Sequence, residues 1–212
     1  MLIRTLALLL ALLCTPMAWS QPPATPAAAP AEKPDAALAT RLALRDLWVE
    51  HIFWVRNYTV ANQNGKTAQA EVAAKEVVAN ATAIANSLQP LYGQPAADQM
   101  LKLLAGHWGA IKDYSDASVA KDAAKQKSAV EALTANAKAI AAFLAKANPY
   151  LPEDTLVALL SAHGGHHISQ IDQLAKADYA GEAKTWHAMH EQILGVADTL
   201  AEALAKQFPN KF

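Results

Sequence analysis

The string NATAIANSL at 80–88 returns as NAKAIAAFL at 136–144, displaced by 56 residues without a gap. The same displacement carries LLAGH (103–107) onto LLSAH (159–163), and Leu47, Trp48 and His51 onto Leu103, Leu104 and His107. A period of this length is one supersecondary unit that cannot bury its own apolar face, so its copies must pack on one another. Ala is abundant, β-branched residues are sparse and apolar positions recur at spacings of three and four, which makes the unit helical. Turn-forming clusters at NQNGK (62–66), QPLYGQP (89–95), SDAS (115–118), ANPYLPED (147–154) and ADYAGE (177–182) divide the chain into six helices. These fall near 37–61, 66–89, 95–116, 120–146, 153–177 and 181–207. The expected fold is all-α: a six-helix bundle, 37–212, built from three αα-hairpins of about 56 residues at 37–92, 93–148 and 149–212.

Each helix carries a polar residue inside its apolar stripe. His51 stands among Leu44, Leu47, Trp48, Val55 and Tyr58, and His107 among Leu103, Leu104, Ile111 and Tyr114. His163 follows Leu159 and Leu160 and leads down the same face to His167. On the returning helices Asn80 lies between Val77 and Ile84, Asn136 between Leu133 and Ile140, and His190 between Trp186 and Ile193. A rise of about 1.5 Å per residue from the turns puts the six groups in one layer to within about a helical turn, His190 being the poorest fit. HGGHH (163–167) adds two glycines to a helix interior, each costing about 1 kcal/mol relative to alanine. With Gly106 and Gly109 they gather around the layer histidines, where they are expected to open a pocket or let a helix bulge.

Neutral imidazole is the commonest metal ligand. His51, His107, His163 and His190 are therefore the candidate ligands, with His167 and His187 as secondary candidates and zinc, copper or iron as candidate ions. Asn80 and Asn136 are placed to hold the far ring nitrogens of such ligands, and Arg56, Tyr58 and Tyr114 are candidates for a pocket rim. Non-covalent haem between two histidines stays open. The opposing reading is a non-catalytic helical scaffold or partner-binding protein, in which the same layer is a polar network fixing helix register. Other chemistries fail on spacing: no Glu has a His three residues later, as a di-iron carboxylate bundle requires, His190-Glu191 does not continue as HExxH, and G-x-S-x-G is absent. No catalytic residue is assigned, and binding or sensing is the expected activity.

Residues 1–20 read as a secretory leader, with Arg4, an apolar run at 6–13 and Ala18-Trp19-Ser20 as a small-x-small cleavage site. That run is too short for a permanent membrane span. Residues 21–36 are rich in Pro and Ala without apolar periodicity, the composition of a tether. The single cysteine, Cys14, lies in the leader, so the mature chain is expected to use neither disulfides nor thiolate ligands. The expected location is outside the cytoplasm, in the periplasm or beyond, with no stable membrane insertion of the mature chain. A net charge of -1 without a basic stripe argues against nucleic acid as a partner.

The strings LWVEHIFWVRNY, LQPLYGQPAADQMLKLLAGH, NAKAIAAFLAKANP and VADTLAEALAKQFPNKF resemble those of a family of exported bacterial all-helical proteins that has no established activity. The likeness covers most of 44–212 and includes His51, Arg56, Asn80, Tyr92, Gly93, His107, Asn136, His163, His190 and Asp198. It implies a helical, exported protein and singles out these positions without assigning them a reaction.

Overall fold

Asp35 starts the first helix by accepting, through Oδ1, the backbone N–H groups of Ala37 and Leu38 at 3.0 and 3.2 Å. Two of the donors that a helix start leaves unpaired are thereby satisfied. The computed structural model describes residues 35–211; the expected leader, and the tether as far as residue 34, lie outside the described residues. Helix α1 (Ala36–Gln63) turns through Gly65, whose φ of +66° suits glycine, into α2 (Thr67–Ser87). A single turn, α3 (Gln89–Tyr92), precedes α4 (Gln94–Val119) and α5 (Ala123–Ala147). The chain ends with α6 (Glu153–Ala175) and α7 (Tyr179–Gln207). Asp122 and Asp178 cap α5 and α7, accepting the N–H groups of Lys125 and Gly181 at 3.0 and 2.9 Å.

Six long helices thus stand where six were expected, and the main difference is at SDAS, which continues α4 instead of breaking it. Ser and Asp end helices when their side chains compete for nearby backbone. Here the Asp116 carboxylate is engaged elsewhere, by Tyr58, Asn62 and Lys112 at 2.6–2.9 Å, and Ser115 is buried against Asn62. The turn moves to 120–122, with Lys121 at φ 56°.

The two helices of each hairpin pack together: α1 on α2, α4 on α5, and α6 on α7. The first helices, α1, α4 and α6, also touch one another in pairs, and each second helix packs on the first helix of another hairpin: α2 on α4, α5 on α6, α7 on α1. Three inner helices are therefore enclosed by three outer ones in a closed ring, an approximate three-fold arrangement that follows from the 56-residue repeat. Arg45 ties the closing pair by donating to both carboxylate oxygens of Asp198 at 2.7 and 2.6 Å. No described helix is long and apolar enough to cross a membrane.

The core has two parts. One contains Trp48, Ile52, Leu104, Leu160 and Met189; the other contains Val55, Trp108, Ile111, Leu133 and Ile171. Each such side chain contributes roughly 1.5–3 kcal/mol on burial. The layer histidines fall between the two parts.

Candidate metal centre

His51, His107 and His163 come from the three inner helices at the same position of the repeat, so they reach the bundle axis at one height. The inward face is fixed by the apolar residue three positions earlier, Trp48, Leu104 or Leu160, each buried. Four positions after the histidine the hairpins differ: Val55 and Ile111 are core residues, whereas the third hairpin has His167. All four histidines are buried, at 1–3% exposure, and each offers a ligand atom within 4.8 Å of the others. The rings of His107 and His163 are nearly parallel, at 14° and 5.7 Å between centroids; His51 lies 5.8 Å from His163 and 6.1 Å from His107. His167 stands across His163 at 79°, with their Nε2 atoms 3.1 Å apart. Its backbone is one turn, about 6 Å, farther along α6. Three donors at one height and a fourth displaced along the axis describe a pyramid.

Behind three of these rings stands a repeated amide. Asn80 Nδ2 donates to Leu47 O at 3.0 Å, Asn136 Nδ2 to Leu103 O at 2.9 Å, and Gln192 Nε2 to Leu159 O at 2.8 Å, each spanning 33 residues. Every acceptor is the residue four before a layer histidine. The third member is therefore Gln192, the residue that the 56-residue displacement gives from Asn136. His190 does not join the histidines. It is half-buried, 6.2 Å from the Trp186 ring, in a shallow outer groove with Asp46, Glu50, Phe53 and His187, and His187 itself is exposed.

The layer is short of hydrogen bonds. Both ring nitrogens of His51 and of His107, Nδ1 of His163, and the amide oxygens of Asn80, Asn136 and Gln192 are buried without a partner. Leaving a buried polar group unsatisfied costs about 1–3 kcal/mol. Burial pushes the His51 pKa down to about 3, helped by the charge His107 would carry. Burial lowers His107 to about 4, with the nearby Asn136 amide acting upward. His163 and His167 are held well below the usual imidazole value by burial and then by neighbouring histidines, with Gln192 acting upward on His163. At neutral pH all four rings are neutral and keep a lone pair.

Two of the four glycines serve packing. Helix α6 runs without interruption through HGGHH, so the expected bulge is absent. A Cβ on Gly164 would lie 3.1 Å from Leu133 Cδ2, and one on Gly106 would lie 2.9 Å from Asn136 Nδ2, so both glycines admit a neighbour. Gly109 and Gly165 would meet nothing within 4 Å.

Arg56, Tyr58 and Tyr114 latch helices together instead of lining a rim. Arg56 donates to both oxygens of the buried Glu182 at 2.6 and 2.7 Å, and its guanidinium lies 5.2 Å from the Trp186 ring. Gln170 Nε2 donates to the same carboxylate at 2.9 Å. Tyr58 donates to Asp116 and Tyr114 to Asp172, both at 2.8 Å. Tyr58, Tyr114 and Gln170 are repeat equivalents seven residues beyond the histidines, about 10 Å along the axis.

No protein-family profile, curated protein or solved structure matches this chain, so the case for a function rests on the chemistry of these side chains.

Proposed function

We propose that the protein binds one first-row transition-metal ion through His51, His107, His163 and His167, and that it does so as an exported protein. The observation that carries this reading is the convergence of four neutral, buried imidazoles whose nitrogens largely lack hydrogen-bond partners. A polar layer kept only for architecture closes its hydrogen bonds. This one leaves five ring nitrogens open, at about 1–3 kcal/mol each. Coordination offsets that cost, since structural metal sites contribute on the order of 10 kcal/mol to folding.

The amides complete the arrangement. The oxygens of Asn80, Asn136 and Gln192 have no partner either, and a small adjustment on metal binding that lets each accept an Nδ1–H would turn an Nε2 lone pair to the axis, the usual support for a metal-bound histidine. Imidazole donors suit zinc, copper or iron. Haem is a poor fit, because rings packed 4.6–6.1 Å apart between two apolar clusters leave no slot for a macrocycle. Donors this deeply buried favour holding or sensing an ion over turning over a substrate.

The test is metal analysis of the untagged chain. About one equivalent should be retained by the wild type and by His187→Gln/His190→Gln, and lost from His107→Gln/His163→Gln. Retention by the inner pair variant, or no uptake of any of the three metals by the wild type, contradicts the reading.

A further inference from the structure

We propose that this centre selects cuprous copper over zinc and over cupric copper. The inference rests on the metal-binding reading above and adds the charge state of the ion.

Charge is the first ground. Among the described residues, the side chains that converge on the site are four histidines and no carboxylate. The groups behind them, Asn80, Asn136 and Gln192, are neutral amides. Of these amides Asn80 also donates to a carboxylate, Glu50, at 3.1 Å, which is exposed to solvent, and the buried Glu182 carboxylate is paired with Arg56. Apolar clusters cover both ends of the layer. A divalent ion would thus keep its whole charge in a low-dielectric interior. Because the cost of burying an ion rises with the square of its charge, a dication is penalised about four times as heavily as a monocation. Zinc sites ordinarily relieve that charge with thiolate, carboxylate or hydroxide ligands.

Geometry is the second ground, and it separates the two oxidation states of copper. Cupric ion prefers donors in a plane. Here three rings meet at one height from three helices, and the fourth, His167, is displaced along α6. The six ring-centroid separations, 4.6–6.1 Å, are too nearly equal for four points in one plane. Cuprous ion has no such preference.

The experiment uses the untagged, metal-stripped full chain. It is loaded anaerobically with copper(I) against a chromophoric copper(I) chelator, then challenged with excess zinc; separate samples receive copper(II). Retention of one copper(I) against excess zinc, with copper(II) bound more weakly and without a tetragonal paramagnetic signal, is the expected result. Gln192→Glu, which places a carboxylate behind His163, should shift selectivity toward zinc by about tenfold or more. Asn80→Asp makes the same test at His51 if that variant does not fold. Displacement of copper(I) by zinc, a tetragonal copper(II) signal, or unchanged selectivity in both charge variants overturns the copper proposal and leaves the metal site standing. Failure to bind any of the three ions overturns the copper proposal, and failure to take up iron as well removes the metal site.

Discussion

Acidification of the metal-free protein should weaken it steeply in a range where most carboxylates are still ionised. The unfolded chain titrates its histidines near 6.5, whereas in the folded protein burial holds His51 at about 3, His107 at about 4, and His163 and His167 well below the usual value. The folded state therefore binds fewer protons, and stability rises with pH. It is complete above the unfolded value and is lost as the pH falls toward the folded ones. From about pH 7 to about pH 5.5 each locked imidazole forfeits roughly 1.2 kcal/mol, so four together forfeit about 5 kcal/mol. That is a large share of the 5–15 kcal/mol typical of a domain. Urea unfolding of chelator-treated protein, followed by circular dichroism at several pH values, measures the slope. His51→Leu should remove about a quarter of it. A stability that stays flat, or falls by less than one histidine's share of about 1.2 kcal/mol, would mean that the rings protonate in the folded state and that water reaches the layer.

The same contacts set the outcome of other substitutions. In metal-free protein His51→Leu should stabilise the fold by about 1–3 kcal/mol, because it removes two unpartnered ring nitrogens, and should abolish metal binding; thermal melts with and without metal read both. Gly109→Ala and Gly165→Ala should each stabilise by about 0.5–1 kcal/mol in chemical denaturation, since the new methyl meets open space. Gly106→Ala should destabilise, because its Cβ would lie 2.9 Å from Asn136 Nδ2 and displace the amide from Leu103 O. Arg56→Ala should cost about 2–3 kcal/mol by leaving the buried Glu182 charge to Gln170 alone, less than for a fully buried pair because the arginine is partly solvated. The double variant Arg56→Met/Glu182→Leu should recover most of that loss in a double-mutant cycle.

The repeat made the hairpins and three of the four converging histidines legible, because a fixed displacement transfers position as well as pattern. His51, His107 and His163 share one repeat position, and their inward direction follows from that. The fourth member was harder to see. His190 drew attention as a histidine on an apolar-looking stripe, yet the displacement from Asn136 leads to Gln192, an amide that does the same work as Asn80 and Asn136. His167 looked like a second choice beside His163, although its replacement of the core residues Val55 and Ile111 was a signal already present in the sequence. The latches formed by Arg56, Tyr58 and Tyr114 depend on partners 58 to 126 residues away, which local spacing does not reveal. SDAS failed as a turn for the same reason: distant side chains occupy Asp116 and leave the helix undisturbed.

X-ray absorption at the edge of the metal bound to the untagged chain addresses the four-imidazole centre directly. One equivalent should show a shell of nitrogen alone at about 2.0–2.1 Å, with the outer scattering of four imidazole rings, and His107→Gln/His163→Gln should abolish it. A shell containing carboxylate oxygen, fewer than three imidazoles, or a spectrum unchanged in that variant would place the metal elsewhere and leave the histidine layer as architecture.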